Sequence, residues 1–467
     1  MTPGPSAPPP PGGDPAAPDD VKALRRRALG GSVWTIAGYA AQNVLRLGGN
    51  IILARLLFPE AFGLMAIVHV FIQGLWLFTD VGVGPAIVQS DRGDDPRYLN
   101  TAWTFQLVRG VVLCLASFLL AWPVAALYSQ GEPLAADLLW YLPATGLAAV
   151  MDGSVSTRVH VHGRHLRVRQ LMAFELAAQA GSLLVMVGFA WVYPSVWALV
   201  AGTLAKSAIR LTLSHTALEG APNRPGWDPA AARALFQFGK WVFVSTMLTF
   251  LATQADRLIF GGLVPWSLLG VYGIAAALAA MPVGALLQVG TKVVFPTLSR
   301  LRGREAALLR EARRVRLPLL LGGGALVSAM LPAGPALIDV LYDARYAEAG
   351  WILQLLLLGA WFQVLEAPNT ALLLARGETR AVAAGNLSKL VGILALLPLG
   401  FWLAGFPGAL VGLALADAAK YATTAALVRL RGVHFLRLDA GATALLLVAC
   451  ALGLGAEALA GGPTVAG

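Results

Sequence analysis

The chain has 467 residues, 57% of them hydrophobic and only 13% charged, with a formal net charge of +10 and a mean hydropathy of +0.68. Soluble domains carry about 25% charged residues, so the composition excludes a soluble globular protein and predicts a polytopic α-helical membrane protein. The basic residues are spread over many short loops without a recognition motif, which argues against a nucleic-acid partner.

Residues 1–20 are rich in Pro, Gly and Ala, and Arg25, Arg26 and Arg27 follow. Residues 1–28 therefore read as a disordered cytoplasmic tail. No cleavable signal peptide is expected, and the first span is expected to serve as the targeting signal. Spans need roughly 20 apolar residues each. Apolar runs of that kind fall at 32–54, 62–87, 101–127, 138–156, 170–192, 196–215, 241–261, 268–298, 317–341, 350–375, 382–404, 408–428 and 440–460, thirteen in all. Cys114 and Cys450 lie within these runs and read as inert core residues. With the N-terminus inside, 25 of the 35 Lys and Arg residues fall on inside segments, seven of them between Arg300 and Arg316. Only Arg55 and Arg345 fall outside, and the bias supports both the count and the orientation. The arginine-rich loops are expected to face anionic lipid. An odd count places the C-terminus outside, so 440–460 is either one extra helix or a hairpin broken near Gly453 and Gly455.

A shift of 207 residues lays the stretch from Val33 over the stretch from Lys240, so that Trp34 meets Trp241 and Gly63 meets Gly270. Six spans separate the copies, which predicts parallel repeats with a site between them. The expected domains are an N-lobe at 29–217, a linker at 218–240 with Pro222, Pro225 and Pro229 on its stretch, a C-lobe at 241–430 and an extra C-terminal segment at 431–467.

A charge at the bilayer centre costs at least about 2.5–3.5 kcal/mol, so those inside spans should face water or a partner. Asn43, Arg46 and Asn50 form one polar stripe on the first span. Thr249, Thr253, Asp256 and Arg257 form another on the seventh, where the repeat shift sets Asn50 on Arg257. Equivalent helices of the two halves thus offer stripes suited to a shared wet cavity. The alternatives are a structural ion pair or a snorkelling arginine. Lys206 and Arg210, at i and i+4, repel unless an acid or an anion lies between them, or Arg210 snorkels at a helix end. Asp417 and Lys420 are spaced to pair locally, and Lys292 and Lys389 are expected to snorkel at inner ends. Glu366, beside Pro368 and Asn369, reads as a buried acid in a broken helix, an ion or proton site or a hydrogen-bonded structural group. Metal binding by His160, His162 and His165 is not expected, because the cluster lacks an acid or Cys partner. No catalytic constellation and no nucleotide loop is present, so no enzyme activity and no cofactor are expected.

The segments "ILARLLFPEAFGLMAI" from Ile52, "DVGVG" from Asp80, "TRVHVHGRHLRVRQLMAFE" from Thr157 and "QADRLIFGG" from Gln254 followed by "GVYGIAA" from Gly270 are similar to a known pattern. From about residue 30 to 430 the chain resembles Wzx-type polysaccharide and O-antigen flippases, in the branch of colanic acid exporters and teichuronic acid transporters. That branch belongs to the MOP superfamily, which also holds multidrug exporters and lipid II flippases. The resemblance implies two six-helix lobes in a V around a cationic cavity, with 12–14 spans. It implies transfer of an undecaprenyl-pyrophosphate-linked oligosaccharide from the cytoplasmic to the periplasmic leaflet of the bacterial inner membrane, for lipopolysaccharide or exopolysaccharide. Arg46, Asn43, Asn50, Asp256, Arg257 and Lys206 are the expected cavity residues. H⁺ or Na⁺ coupling is expected at Glu366, Asp256 or Asp417, and the expected partners are membrane lipids, a polymerase and glycosyltransferases. The rivals are a drug or ion antiporter or a lipid II flippase of the same fold, and a membrane polymerase or ligase. The last is disfavoured by outside loops that hold two arginines and no histidine.

Overall fold

The computed structural model describes residues 37–459 apart from 39, 79–81, 130–131 and 166, and the described residues form helices and short connections without a strand. The predicted tail at 1–28 and Asp80 lie outside the described residues, as do the side chains of Thr249 and Lys292.

Helix starts follow the local sequence. After α1 (residues 40–56), Pro59 opens α2 (Pro59–Phe78), and α3 (Val83–Gln89) leads to α4. Asp95–Pro96 starts α4 (Pro96–Tyr128), with the Asp95 side chain accepting from the Arg97 amide. Then come α5 (Leu138–Gly153), α6 (Arg158–Arg164), α7 (Val168–Val192) and α8 (Trp197–Thr216). Asp228–Pro229 repeats the Asp-Pro start at α9 (Pro229–Leu263), where Asp228 accepts from the Ala230 amide. In both, the carboxylate satisfies an orphan amide, and proline sits where no amide is needed. Beyond it lie α10 (Trp266–Val289), α11 (Phe295–Ser299), α12 (Glu305–Leu341), α13 (Ala349–Arg376), α14 (Thr379–Leu430) and α15 (Leu436–Leu459).

Among the described residues, nine helices are long and apolar enough to cross a membrane: α2, α4, α5, α7, α10, α12, α13, α14 and α15. Helix α14 supplies two of the thirteen predicted spans. Its path breaks at Ala404 and Gly405 (φ 62°), and the two arms fold back so closely that a Cβ on Gly400 would lie 2.1 Å from the Gly408 carbonyl oxygen. Helices α1, α8 and α9 occupy the remaining predicted spans; α8 and α9 carry the charges that lower their apolarity. Helix α15 is continuous through Gly453 and Gly455, so the single extra helix is the form found, not the hairpin.

Helix α4 packs on α5, α7 on α8 and α5 on α8; α13 packs on α10, α12 and α14, and α15 on α12. Helix α2 bridges these groups by packing on α9 and α10. The α2–α10 contact is isologous under the 207-residue shift. A Cβ on Gly63 would lie 1.9 Å from the Trp266 carbonyl oxygen, and one on Gly270 would lie 2.0 Å from the Pro59 carbonyl oxygen. Gly63 and Gly270 are equivalent, as are Pro59 and Trp266, so a local two-fold axis runs through this contact.

Candidate functional site

The end of the bundle that carries Pro59 and Trp266 is sealed. Besides the glycine contact, Phe62 packs edge-on to the fully buried Tyr346, and Tyr128 packs edge-on to the fully buried Trp266. Two charges lock it across the groups. Glu132 accepts from the Trp266 amide at 2.7 Å, at the start of α10. Arg345 donates to the carbonyls of Ala54 and Leu57 at 2.8 and 3.0 Å, at the end of α1. An anion at a helix start and a cation at a helix end are both favoured by the helix dipole. Asp343 holds Arg345 at 2.6 Å, and this neighbour keeps the Asp343 carboxyl below its usual range.

Away from the seal lies a cavity of about 410 Å³. Arg46 from α1, Asp256 and Arg257 from α9, Tyr272 from α10, and Lys389 and Asp417 from the two arms of α14 line it. The stripe geometry delivers Arg46, Asp256 and Arg257 to one space. Arg46 is exposed to it and donates to Asn43 at 2.7 Å. Asp256 and Arg257 are held by different partners. The Tyr272 hydroxyl donates to Asp256 Oδ2, while Arg257 donates to Gln254 Oε1 at 2.6 Å. Asp256 Oδ1 is buried without a hydrogen-bond partner in the structure. Gln254 in turn donates to Gln73 of α2 at 3.0 Å, which ties α9 to the first half of the chain.

Asn50 is not on this cavity but on a second one of about 360 Å³, which shares Arg257 with the first. Lys206 lines neither, and Asn43 reaches the site through Arg46. Arg210, beside Lys206, bonds Asp152 at 3.3 Å and Glu175 at 3.2 Å, so acids within the first half absorb that charge and the snorkelling alternative is not found.

The acids of the second half pair differently from the local expectation. Asp417 pairs with Lys389 at 2.6 Å and accepts from Gln363 at 3.1 Å, while Lys420 pairs with Glu366 at 3.4 Å. The fold-back of α14 sets Lys389 opposite Asp417, so the ion pair across the hairpin replaces the one along the helix. Lys389 therefore faces the cavity instead of snorkelling. Glu366 is buried and accepts from Thr370 within a helix that runs unbroken through Pro368. Arg316, read from sequence as a loop charge, is buried. It donates to both Asp439 oxygens at 2.8 and 2.7 Å and to Asn369 at 2.8 Å, and it lies over the Phe435 ring. This clamp fastens α15 to α12 and α13. Among the described residues no group of His, Cys, Asp and Glu is arranged to hold a metal ion.

Sequence reasoning missed His69, Gln73, Gln254 and Tyr272 on these walls. The available signal was His69 and Gln73 at i and i+4 on an apolar helix.

Residues 52–349 match the family described as Polysaccharide biosynthesis protein. The lipopolysaccharide biosynthesis protein WzxC of Escherichia coli is 23% identical over 84% of this chain and 79% of its own length. The succinoglycan biosynthesis transport protein ExoT of Rhizobium meliloti is 26% identical over 70% of this chain and 64% of its own. The teichuronic acid biosynthesis protein TuaB of Bacillus subtilis is 22% identical over 64% of this chain and 61% of its own. Among solved structures, an inward-facing multidrug resistance MATE family transporter of the MOP superfamily superposes with a TM-score of 0.67 at 13% identity, covering 84% of this chain and 94% of that one. The lipid II flippase MurJ in an inward closed conformation also gives 0.67, at 12% identity, over 89% and 92%. The chain thus belongs to the polysaccharide biosynthesis protein family, with the all-helical, multi-pass membrane fold of MOP superfamily proteins.

Proposed function

We propose that this protein carries an undecaprenyl-pyrophosphate-linked oligosaccharide from the cytoplasmic to the outer leaflet of the bacterial cytoplasmic membrane by alternating access. The observation that carries the reading is the delivery of Arg46 and Arg257 to one cavity by repeat-equivalent helices. Guanidinium groups match phosphate oxygens in a bidentate fork. A glycan and a pyrophosphate cannot cross a dry bilayer, because stripping their hydrogen bonds costs too much. A polar cavity replaces that hydration while the lipid tail stays in the membrane. The N-terminus is taken as cytoplasmic from the arginine bias, which makes the sealed end the outer end and this conformation the loading one. Residues 29–217 and 241–430 act as the moving lobes, joined by 218–240, with 431–467 attached to the second. The intramembrane carboxylate of Asp256, whose buried Oδ1 accepts no hydrogen bond in the structure, supports coupling to H⁺ or Na⁺ at this position. The Lys-paired Glu366 and Asp417 are the further coupling candidates. A glycosyltransferase must supply the substrate and a polymerase or ligase must consume it.

The test is flipping in liposomes that hold the purified protein and a labelled undecaprenyl-pyrophosphate oligosaccharide, with an added glycosidase reporting the leaflet. Wild type is expected to flip, and folded Arg46→Ala and Arg257→Ala to stall. A wild type that flips nothing but exports small cations would make the chain a drug antiporter and the arginines structural.

A further inference from the structure

The two cavities differ in chemistry, and the difference sorts the parts of a substrate. The larger one presents charges: Arg46, Asp256, Arg257, Lys389 and Asp417. The second, beside the sealed end, presents Asn50, His69, Gln73 and Gln254 with Phe62, and Arg257 stands at the boundary as the one charged residue shared by both. On α2, Phe62, His69 and Gln73 share one face at i, i+7 and i+11, and His69 and Gln73 present their side chains to the cavity although they lie mid-span. Phosphate oxygens only accept hydrogen bonds and suit a cationic wall. A sugar hydroxyl both donates and accepts, as do amides and neutral imidazole. An amide wall can therefore satisfy a hydroxyl on both counts, whereas arginine and lysine can only donate. Phe62 adds a ring face for the apolar C–H side of a sugar.

We infer that the cavity lined by Asn50, His69, Gln73 and Gln254 is a sugar subsite that holds the first neutral sugar of the lipid-linked glycan, with Arg257 at the sugar–phosphate junction. This rests on the transport reading above and assigns the sugar and the pyrophosphate to separate walls. The sugar then lies next to the seal, and its hydroxyls compete for the Gln73–Gln254 hydrogen bond that spans the two halves.

Binding to the full-length protein in detergent tests this with two kinds of probe. One is bare undecaprenyl pyrophosphate; the other is the same lipid bearing glucose, galactose or N-acetylglucosamine. Wild type is expected to prefer at least one sugar-bearing lipid by about tenfold, the worth of one or two well-made hydrogen bonds. His69→Leu and Gln73→Leu should each lose that preference and still bind the bare lipid as wild type does. His69→Gln should retain it, and Arg257→Ala should weaken both lipids. Equal weakening of both lipids by His69→Leu and Gln73→Leu, or no preference by wild type for any of the three sugars, would overturn the subsite. Failure of wild type to bind either kind of lipid would instead strike the transport reading itself.

Discussion

At the scale of single residues, a charge in an apolar span is legible because it is costly, and that is why Arg46, Asp256 and Arg257 stood out in the sequence. His69, Gln73 and Gln254 carry no obligatory charge, so only the i, i+4 spacing of His69 and Gln73 on an apolar helix marks the first two, and Gln254 reads as an ordinary polar residue. Arg316 was hidden for another reason. It ends a run of arginines that face solvent, and its partner Asp439 lies 123 residues further on. That pair allows a sharp prediction. Removing one partner of a buried ion pair strands the other and costs about 3–5 kcal/mol, whereas replacing both with apolar groups is often neutral. Arg316→Ala and Asp439→Ala should each lower the apparent melting temperature of the detergent-solubilised protein. Arg316→Met combined with Asp439→Leu should recover most of the loss. Equal losses in the single and double variants would mean that the packing of Arg316 against Phe435 matters more than the charge pair.

At the scale of elements, nearly every span was legible as an apolar run, because the bilayer demands length and apolarity. The pairing of elements was not, since it depends on backbone approach. The fold-back of α14 decides which lysine meets Asp417, and it rests on the turn at Gly405 and on the close passage of the arms at Gly400, Gly408 and Gly412. The contact of α2 with α10 is equally specific. Gly63→Leu and Gly270→Leu should both prevent sealing, and to a similar degree because the contact is two-fold. Labelling of a cysteine at Phe62 by a membrane-impermeant maleimide added from the outer side should rise strongly in both variants. Unchanged labelling would remove the glycine contact from the seal. The Asp343–Arg345 lock has its own signature. Arg345 lowers the Asp343 carboxyl, so the lock is at full strength above the ordinary aspartate value and is lost only as the pH falls through the lowered one. Sealing should thus persist down to about pH 4, near the ordinary aspartate value, and weaken below it. Asp343→Asn should weaken it at neutral pH. Loss of the seal between pH 5 and 7 in the wild type would assign it to other groups.

At the scale of the whole molecule, a 207-residue shift read from faint sequence similarity reappears as a physical axis through Gly63, Gly270, Pro59 and Trp266. Two-fold-related halves that touch at one end can rock apart there and close at the other, which is the alternation a flippase needs. The locks at Glu132 and Arg345 break the symmetry, as Pro59 has no amide to match the one that Trp266 gives to Glu132. On the proposed transport reading, the substrate leaves through this seal. The most direct measurement pins it shut. Phe62→Cys and Tyr346→Cys, whose native rings lie 6.3 Å apart, would be bridged by a disulfide-containing bifunctional maleimide in a chain with Cys114→Ala and Cys450→Ala. In liposomes carrying labelled undecaprenyl-pyrophosphate oligosaccharide, the unbridged protein should flip the lipid, the bridged protein should stop, and reduction of the linker should restore flipping. Flipping at an undiminished rate with the bridge in place would mean that the substrate does not leave through the seal.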